Sequence, residues 1–481
     1  MSIPTSWYAR QGPSTRPSFG RLRALASLLV PALVAYLGLL LVVSLLANRR
    51  VQNEEDYIVA GRRLPLSLAT ATLFATWFGA GTVLTASDEI RSEGLRASAL
   101  EPYGAGLCLM LAGVFLAARL WSMKVLTISD VFARFGPRAE ALSVVVTVPS
   151  YVGWIAVQLV ALAGTLHVTL DISMSAGIFL VAAVSLMYTL LGGMWSVTVT
   201  DAAQMVLIVL GVLWLGYSVF DVLGEGSSTA GLRSLPDRVD AERLVFVPRD
   251  SVGELVGWIG VLVVASLGNL PGQELAQRIM AARSKRVATR ACVFAGVLYV
   301  TLGSVPVLIG VAAPLLLPAD QQTAVLQSLA LRLFSPFMTV VFVLSVVSVV
   351  MSTITSGLLA PATTLAHNLL RHHVSARVSS LALCRLSVAL VLAASIGVAL
   401  IGENAYDILE ASYAIGLVGL FVPFVAGIYD VKASDRATIA AMVTGMLVWS
   451  ISFLFETVVP MSLVAVAACG VVFEVLRRRD G

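Results

Sequence analysis

The sequence predicts an all-α polytopic membrane protein. Of its 481 residues, 58% are hydrophobic and only 12% are charged, about half the charged fraction of an ordinary soluble domain. Uncharged runs such as 172–200, 291–319 and 333–370 are each long enough to cross a bilayer as a helix, which needs about 20 residues. The alternating ten-residue segments of a transmembrane β-barrel are not found in the sequence. Helices are therefore the predicted spanning elements.

The apolar runs predict thirteen transmembrane helices, whose boundaries are uncertain by a few residues. The predicted helices cover residues 24–47, 66–87, 98–121, 140–168, 172–191, 198–220, 252–277, 289–316, 336–370, 378–401, 406–429, 437–455 and 458–476. Four cysteines lie within apolar runs and are predicted to pack in the core.

A polar segment at 221–251, rich in Gly, Ser, Arg and Asp, divides the chain near its middle. We predict an outer loop here, joining two groups of five helices at 66–220 and 252–429. The remaining parts are a polar N-terminal tail at 1–23, an extra helix at 24–47 and two C-terminal helices at 437–476.

The distribution of basic residues predicts the orientation of the chain. Most of the 32 Lys and Arg residues, including Arg278, fall in the segments that follow odd-numbered helices. Because cytoplasmic loops carry the excess of Lys and Arg, these segments are predicted to face inward. The N-terminus is then outside and the C-terminus cytoplasmic, in a multi-pass protein of the cell (inner) membrane.

One helix in each group of five carries an early interruption. The first is Gly79-Ala80-Gly81, and the second is the Gly-Asn-Leu-Pro-Gly sequence at 268–272. Glycine frees the backbone and proline removes a hydrogen-bond donor, so both helices can unwind there. Paired interruptions of this kind indicate an inverted-repeat transporter with its site at the bilayer midplane. Gly and Pro are also common in membrane helices that merely bend, so the spacing alone leaves both interpretations open.

A motif across the fifth and sixth helices makes the interpretation specific. Residues 188–204 read YTLLGGMWSVTVTDAAQ and resemble the YT-x-x-GG-x-x-x-V-x-x-TD-x-x-Q signature of the sodium:solute symporter family. Four further stretches agree with the family in order, at 56–62, 127–136, 273–278 and 351–356. The resemblance implies a leucine-transporter-like fold, a five-plus-five inverted repeat with one helix before it and two after it.

The resemblance also implies a function. Family members import a small polar organic solute together with sodium by alternating access, and an amine or amino acid is the expected class. The expected coupling ion is the sodium ion. The other expected partners are the solute and the lipid bilayer, and no nucleic acid is expected. An enzyme is not predicted. The alternative is a solute-sensing membrane receptor without net transport, although the chain ends shortly after its last helix and is expected to carry no kinase of its own.

The family's common sodium site maps onto two helices. By the resemblance, its ligands are the backbone carbonyls of Ala75, Phe78 and Val349 and the hydroxyls of Ser352 and Thr353. A sodium ion prefers neutral oxygen ligands, and unwound backbone can supply carbonyls that no helix bond uses. Hydroxyls in membrane helices also bond back to their own helix, which is the alternative for this pair.

Asp201, in the TD pair of the signature, is expected on the ion path at the inner end of the sixth helix. A carboxylate there could attract the departing ion. The alternative is that Asp201 and Thr200 cap the N-terminus of that helix.

The expected solute site combines one aromatic and one acidic residue. The chain is similar to the choline-transporter branch around Trp77, whose ring could hold a cationic nitrogen. That branch has a tryptophan where this chain has Gly272, so the cage is incomplete and choline is not assigned. Glu101 is expected to face the solute, although a carboxylate in the first turn of a helix at the outer interface is an equally good interpretation. The other expected contacts are Gly79, Thr82, Asn269, Gln273 and Tyr413.

Overall fold

The computed structural model describes residues 19–49, 51–191, 193–319, 321, 324–371, 374, 378–402, 404–455, 457 and 459–480. Residues 1–18 of the predicted N-terminal tail lie outside the described residues. The described part is helical apart from one isolated β-bridge between Leu64 and Ala282. An all-helical membrane protein is the fold class that the sequence predicts.

Sixteen principal helical segments make up the bundle. They are α1 (Phe19–Asn48), α2 (Leu66–Trp77), α3 (Gly81–Glu93), α4 (Leu95–Met123), α5 (Pro137–Leu170), α6 (Met174–Leu191), α7 (Met194–Leu223), α8 (Val252–Gly268), α9 (Gln273–Ala281), α10 (Lys285–Leu315), α11 (Val325–Leu333), α12 (Pro336–Leu370), α13 (Ser380–Ile401), α14 (Ala405–Ile428), α15 (Asp435–Phe453) and α16 (Met461–Asp480).

Two pairs of these segments form bent spans. The axes of α2 and α3 differ by 56°, and those of α8 and α9 by 43°. Within the described residues, nine helices are long and apolar enough to cross a membrane, or up to eleven if each bent pair counts as one span. The all-α polytopic class is therefore confirmed, while the predicted total of thirteen spans stays a prediction.

One principal helix begins earlier than predicted, and another principal helix is not predicted at all. The helix predicted at 198–220 begins at Met194, after Gly193, whose φ of 80° suits only a glycine well. No helix is predicted between 316 and 336, yet α11 lies there. It is amphipathic and too short to span, and Asp88 accepts hydrogen bonds of 2.9 Å from the backbone N–H groups of Ala324 and Val325 at its start.

The centre of the bundle is built around α12 and the two bent spans. In the most apolar stretch of α12, 78% of the residues are buried, whereas only 17% are buried in the corresponding stretch of α1. α12 is therefore central in the bundle and α1 is peripheral. α12 packs along α5 and α7, and α10 packs along α2 and α4. At one end, the N–H of Leu64 donates to the carbonyl of Ala281 and the N–H of Arg283 donates to the carbonyl of Leu64. These bonds fix the start of α2 to the end of α9, so the two bent spans are directly connected.

Candidate functional site

The first break lies between α2 and α3 at residues 78–80. Phe78 leaves the helical conformation, with φ −74° and ψ 68°, so its carbonyl is turned away from the helix direction. The N–H of Ala80, which starts α3, donates to Gln158 Oε1 at 2.8 Å. A Cβ at Gly79 would lie 2.8 Å from Thr353 Oγ1 and 3.0 Å from Gln158 Oε1. Glycine is therefore required here, because α5 and α12 approach the broken backbone closely.

Two adjacent hydroxyls of α12 meet the end of α2. Ser352 Oγ donates to the carbonyl of Ala75 at 2.7 Å and lies 2.9 Å from that of Val349. Thr353 Oγ1 lies 3.0 Å from the carbonyls of Thr76 and Val349. Both side chains are almost completely buried. The structure thus gathers two hydroxyls and three carbonyl oxygens beside the Phe78 break, and the hydroxyls reach across to α2 as well as back to their own helix.

A buried ion pair lies next to this group of oxygens. Asp201 Oδ2 accepts hydrogen bonds from Thr72 Oγ1 at 2.6 Å and Thr76 Oγ1 at 3.3 Å. The guanidinium of Arg278 lies 3.6 Å from the same carboxylate oxygen and donates to Ser356 Oγ at 2.6 Å. Because Thr76 also contributes its carbonyl to the bond from Thr353, the ion pair and the hydroxyl pair share one residue.

Two predictions about these charged residues are wrong. Asp201 cannot cap the N-terminus of its helix, because α7 begins seven residues earlier at Met194 and Asp201 is completely buried inside it. Thr200 bonds to carbonyls of its own helix. Arg278 does not belong to an inner basic loop. Its side chain is 1% exposed and lies within α9, because the helix continues to Ala281 and holds this residue in the core.

The second break, at residues 269–272 between α8 and α9, forms one wall of a pocket. About 520 Å³ of space between atoms belongs to the pocket when the part open to solvent is included. Its other walls come from the end of α2 and from α5 and α14. The lining residues are Trp77, Thr147, Ser150, Tyr151, Trp154, Gly268, Asn269, Pro271, Gly272, Glu274, Ser412, Tyr413, Gly416 and Leu420.

Glu101 lies behind this pocket. Its carboxylate is buried and accepts hydrogen bonds from the hydroxyls of Thr82 at 2.8 Å, Tyr299 at 2.6 Å and Tyr413 at 2.8 Å. Tyr299 also lies 3.0 Å from the carbonyl of Trp77. Glu101 is therefore within the core and close to the first break, and the outer-interface interpretation of this residue is wrong. Tyr413 stands between Glu101 and the pocket.

The remaining predicted contacts fall into two groups. Trp77, Asn269 and Tyr413 line the pocket. Gly79 lies at the first break, and Thr82 is bound to Glu101, so neither forms part of the pocket wall. Gln273 lies outside the wall, because its Oε1 accepts the N–H of Ile128 at 2.7 Å and its side chain is turned toward the loop between α4 and α5.

Several residues of the site are not predicted from the sequence. Gln158, which binds Ala80, and Tyr299, which binds Glu101, lie in long apolar helices where no local pattern singles them out. Tyr151, which no sequence pattern singles out, lines the pocket and donates to Glu274. Glu274 is 4% exposed and follows the Pro-Gly step of the second break. The one available signal was an acidic residue directly after an interruption within a predicted span.

A helical bundle in which two broken helices surround a buried polar site and an aromatic pocket is the architecture of a secondary transporter. The sodium:solute symporter family model matches residues 57–446 of the chain. The chain belongs to the sodium:solute symporter family, as its motifs indicate. Membership places it among transporters rather than enzymes.

The chain is similar in sequence to high-affinity choline transporters and to a sodium/myo-inositol cotransporter. The chain is 29% identical to the high affinity choline transporter 1 of Homo sapiens over 266 residues, which are 53% of this chain and 45% of that protein. The chain is 25% identical to the high-affinity choline transporter 1 of Torpedo marmorata over 450 residues, which are 87% of this chain and 75% of that protein. The sodium/myo-inositol cotransporter 2 of Oryctolagus cuniculus is 26% identical over 61% of this chain and 47% of its own. The chain spans about half the length of the human and rabbit relatives.

Solved structures show the same fold. A Na⁺-coupled sialic acid symporter in a substrate-bound outward-open state superposes with a TM-score of 0.79 at 16% identity, over 94% of this chain and 97% of that one. A nucleobase-cation-symport-1 family transporter, in a closed conformation with bromovinylhydantoin bound, superposes with a TM-score of 0.64 at 13% identity. The superposition covers 89% of this chain and 95% of that one. At these identities the likeness concerns the fold alone.

Proposed function

We propose that this protein is a sodium-coupled symporter that imports a small polar organic solute carrying an amine, by alternating access. The observation that carries the proposal is the position of the two sites. The hydroxyl pair of α12 contacts the last turn of α2 at Ala75 and Thr76, and the aromatic pocket contacts the same turn at Trp77, directly before the first break. An ion bound to the hydroxyl pair changes the conformation of the backbone that holds Trp77, which is the physical basis of coupling.

The proposed sodium ligands are the carbonyls of Ala75, Phe78 and Val349 and the hydroxyls of Ser352 and Thr353. Ser352 Oγ lies within hydrogen-bond distance of the carbonyls of Ala75 and Val349, and Thr353 Oγ1 lies within hydrogen-bond distance of the Val349 carbonyl. The hydroxyls can release these carbonyls and turn their lone pairs toward an ion. Neutral oxygens near a helix break suit a monovalent cation at membrane depth.

Asp201 is proposed to lie on the ion's path toward the cytoplasm. It is bound to Thr76, the residue that also contacts Thr353. A carboxylate beside the site attracts a cation without coordinating it directly, and its charge is balanced by Arg278 when the ion is away.

The proposed solute site is the pocket at the second break. Trp77, Asn269 and Tyr413 supply wall contacts, and aromatic faces attract a cationic nitrogen. Glu101 acts through Tyr413, whose hydroxyl donates to the Glu101 carboxylate, and Thr82 donates a second hydrogen bond to that carboxylate.

Gly79 contributes by allowing α5 and α12 to approach the break. Gln273, now bound to the inner loop, is proposed to reach the solute only in another conformation of the cycle.

The proposed domain arrangement is a five-plus-five inverted repeat of 66–220 and 252–429. The first span of each proposed repeat is the bent one, as expected for related halves. The helix at 24–47, the loop at 221–251 and the pair of helices at 437–476 lie outside the repeats, giving thirteen spans. The proposed location is the cell membrane, with the N-terminus outside and the C-terminus cytoplasmic.

Reconstitution into liposomes tests the function. An inward sodium gradient should drive concentrative uptake of a labelled amine, and replacing sodium by potassium should abolish it. Sodium alone should raise the melting temperature with its concentration, as for any ligand that binds only the folded state. Saturable solute binding without sodium-driven accumulation would favour the sensing receptor. Uptake that is equal in sodium and potassium would reject sodium coupling.

A further inference from the structure

The wall of the pocket contains one carboxylate, that of Glu274. It is 4% exposed, and its Oε2 accepts the hydroxyl of Tyr151. A Cβ at Gly272 would lie 2.7 Å from Glu274 Oε1 and 3.0 Å from Oε2, so the carboxylate lies directly over the glycine backbone. The absence of a side chain at position 272 therefore creates the space in which the acidic group sits.

No basic side chain in the described part of the chain forms an ion pair with the Glu274 carboxylate. Arg278 lies one turn further along α9, but its Nη1 donates to the backbone carbonyl of Glu274 at 3.1 Å. Its other nitrogens contact Thr72, Ser356 and Asp201. The guanidinium thus makes its closest carboxylate contact with Asp201, and its charge reaches the Glu274 carboxylate only without a direct hydrogen bond.

Two other buried carboxylates near the breaks, those of Asp201 and Glu101, are compensated by protein groups. Asp201 has Arg278, and Glu101 has three hydroxyl donors. Glu274 has one hydroxyl donor, that of Tyr151, together with the backbone N–H groups of Glu274 and Leu275 at the start of α9 and the more distant charge of Arg278. Burying an ionised carboxylate is costly unless a cation or several donors compensate. A positively charged solute would complete this set, and the rings of Trp77 and Trp154, which line the same pocket, would favour that charge.

We propose that Glu274 binds the charged nitrogen of the solute directly through an N–H hydrogen bond, so that the pocket prefers protonated amines over quaternary ammonium ions. The proposal rests on the proposed function, since it names the solute class of that pocket. A carboxylate oxygen accepts a short charge-assisted bond from an ammonium N–H. A quaternary nitrogen has no proton to donate and keeps its charge at least a methyl group away from the oxygen.

Glu274 could instead be only a helix-start residue that stabilises α9. The two roles differ in what they control. A helix-start carboxylate affects the melting temperature but has no influence on which solute binds, whereas a solute ligand determines the preference between two solutes that differ by one methyl group. Selectivity is therefore the quantity to measure.

The test uses two pairs of probes on the full-length protein in sodium. Choline is compared with dimethylethanolamine, and glycine betaine with dimethylglycine, at a pH at which every nitrogen is charged. Each pair differs by a methyl group replaced by a proton. Affinity is measured by competition and thermal shift in wild type, in Glu274→Gln and in Glu242→Gln, a matched change at an exposed outer-loop glutamate.

Wild type and Glu242→Gln should bind the N–H member of at least one pair about tenfold or more tightly than its quaternary partner, the usual advantage of a charge-assisted hydrogen bond. Glu274→Gln should remove that preference while sodium still raises the melting temperature. Equal or tighter binding of the quaternary members, an unchanged preference in Glu274→Gln, tighter binding of neutral myo-inositol, or no binding of any of the four probes would overturn the proposal. Sodium dependence is scored separately with potassium as the replacement, so loss of sodium coupling would count against the proposed function and not against Glu274.

Discussion

The two broken helices of this protein differ in what surrounds the break. The break at 78–80 is enclosed by α5 and α12, so that Gln158 satisfies one freed N–H group and even a methyl group at Gly79 would collide with its neighbours. The break at 269–272 borders a pocket, and its backbone faces aromatic rings and a carboxylate. A tightly enclosed break suits a small bare ion, and an open one suits a solute of variable shape. We therefore propose that the enclosed break binds the ion and the open one binds the solute.

The largest expected effect comes from cutting the link between the two breaks. Arg278, on α9, donates to the carbonyl and hydroxyl of Thr72 on α2, both at 3.2 Å. Arg278→Gln should lower the free energy of unfolding by about 3–5 kcal/mol, because it leaves Asp201 buried without its cation. Denaturant titration in detergent measures this change.

Arg283→Gln is the control, since Arg283 is exposed just beyond α9 and should change stability by no more than about 0.5 kcal/mol. Adding Asp201→Asn to Arg278→Gln should cost less than the sum of the two single changes. Additive effects would mean that the two charges do not interact and that the breaks are joined by other contacts.

The next effect should be confined to the enclosed break. Ser352→Ala combined with Thr353→Ala should weaken sodium affinity by about 1–3 kcal/mol, because carbonyls and ion lose two oxygen partners. Thr355→Ala is the matched control, since its hydroxyl bonds only within its own helix. Titrating the melting temperature with sodium provides the affinity. If the double variant keeps the wild-type titration, the ion binds elsewhere.

A smaller effect is expected from the residue that supports the same break from α5. Gln158→Met should weaken sodium affinity by about 1 kcal/mol, since the N–H of Ala80 loses its buried acceptor. Gln327→Met also removes a buried amide, one that donates to Thr165 away from both breaks. It should reduce stability without changing the sodium titration. Equal changes in that titration would show that Gln158 acts only through general stability.

Glycine and proline predict where the breaks lie, and the family resemblance implies the hydroxyl pair, but neither reveals the residues that complete the two sites. Gly79 and the Pro-Gly step at 271–272 change the backbone wherever they occur, so the sequence reveals them directly. Gln158 acquires its role only when α5 packs against the start of α3, and Tyr299 only when α10 packs against α2. No pattern within one helix encodes these contacts. Arg278 was misplaced because a basic residue near the end of a predicted span resembles a loop residue until the packing of α9 is known.

The last and smallest effect separates the two acidic residues near the solute. The sequence suggests that Glu101 faces the solute, whereas the structure places Tyr413 between Glu101 and the pocket. Glu101→Gln keeps an oxygen that can accept from Tyr413, so amine affinity should fall by about 1 kcal/mol or less, the worth of one weakened hydrogen bond. Sodium titration should be unchanged. Tyr413→Phe, which removes the same bond from the pocket side, should reproduce the loss, and combining the two changes should add little because both delete one interaction. If Glu101→Gln instead weakens amine binding as much as Glu274→Gln does, then Glu101 contacts the solute directly, and Tyr413 must move aside when the solute binds.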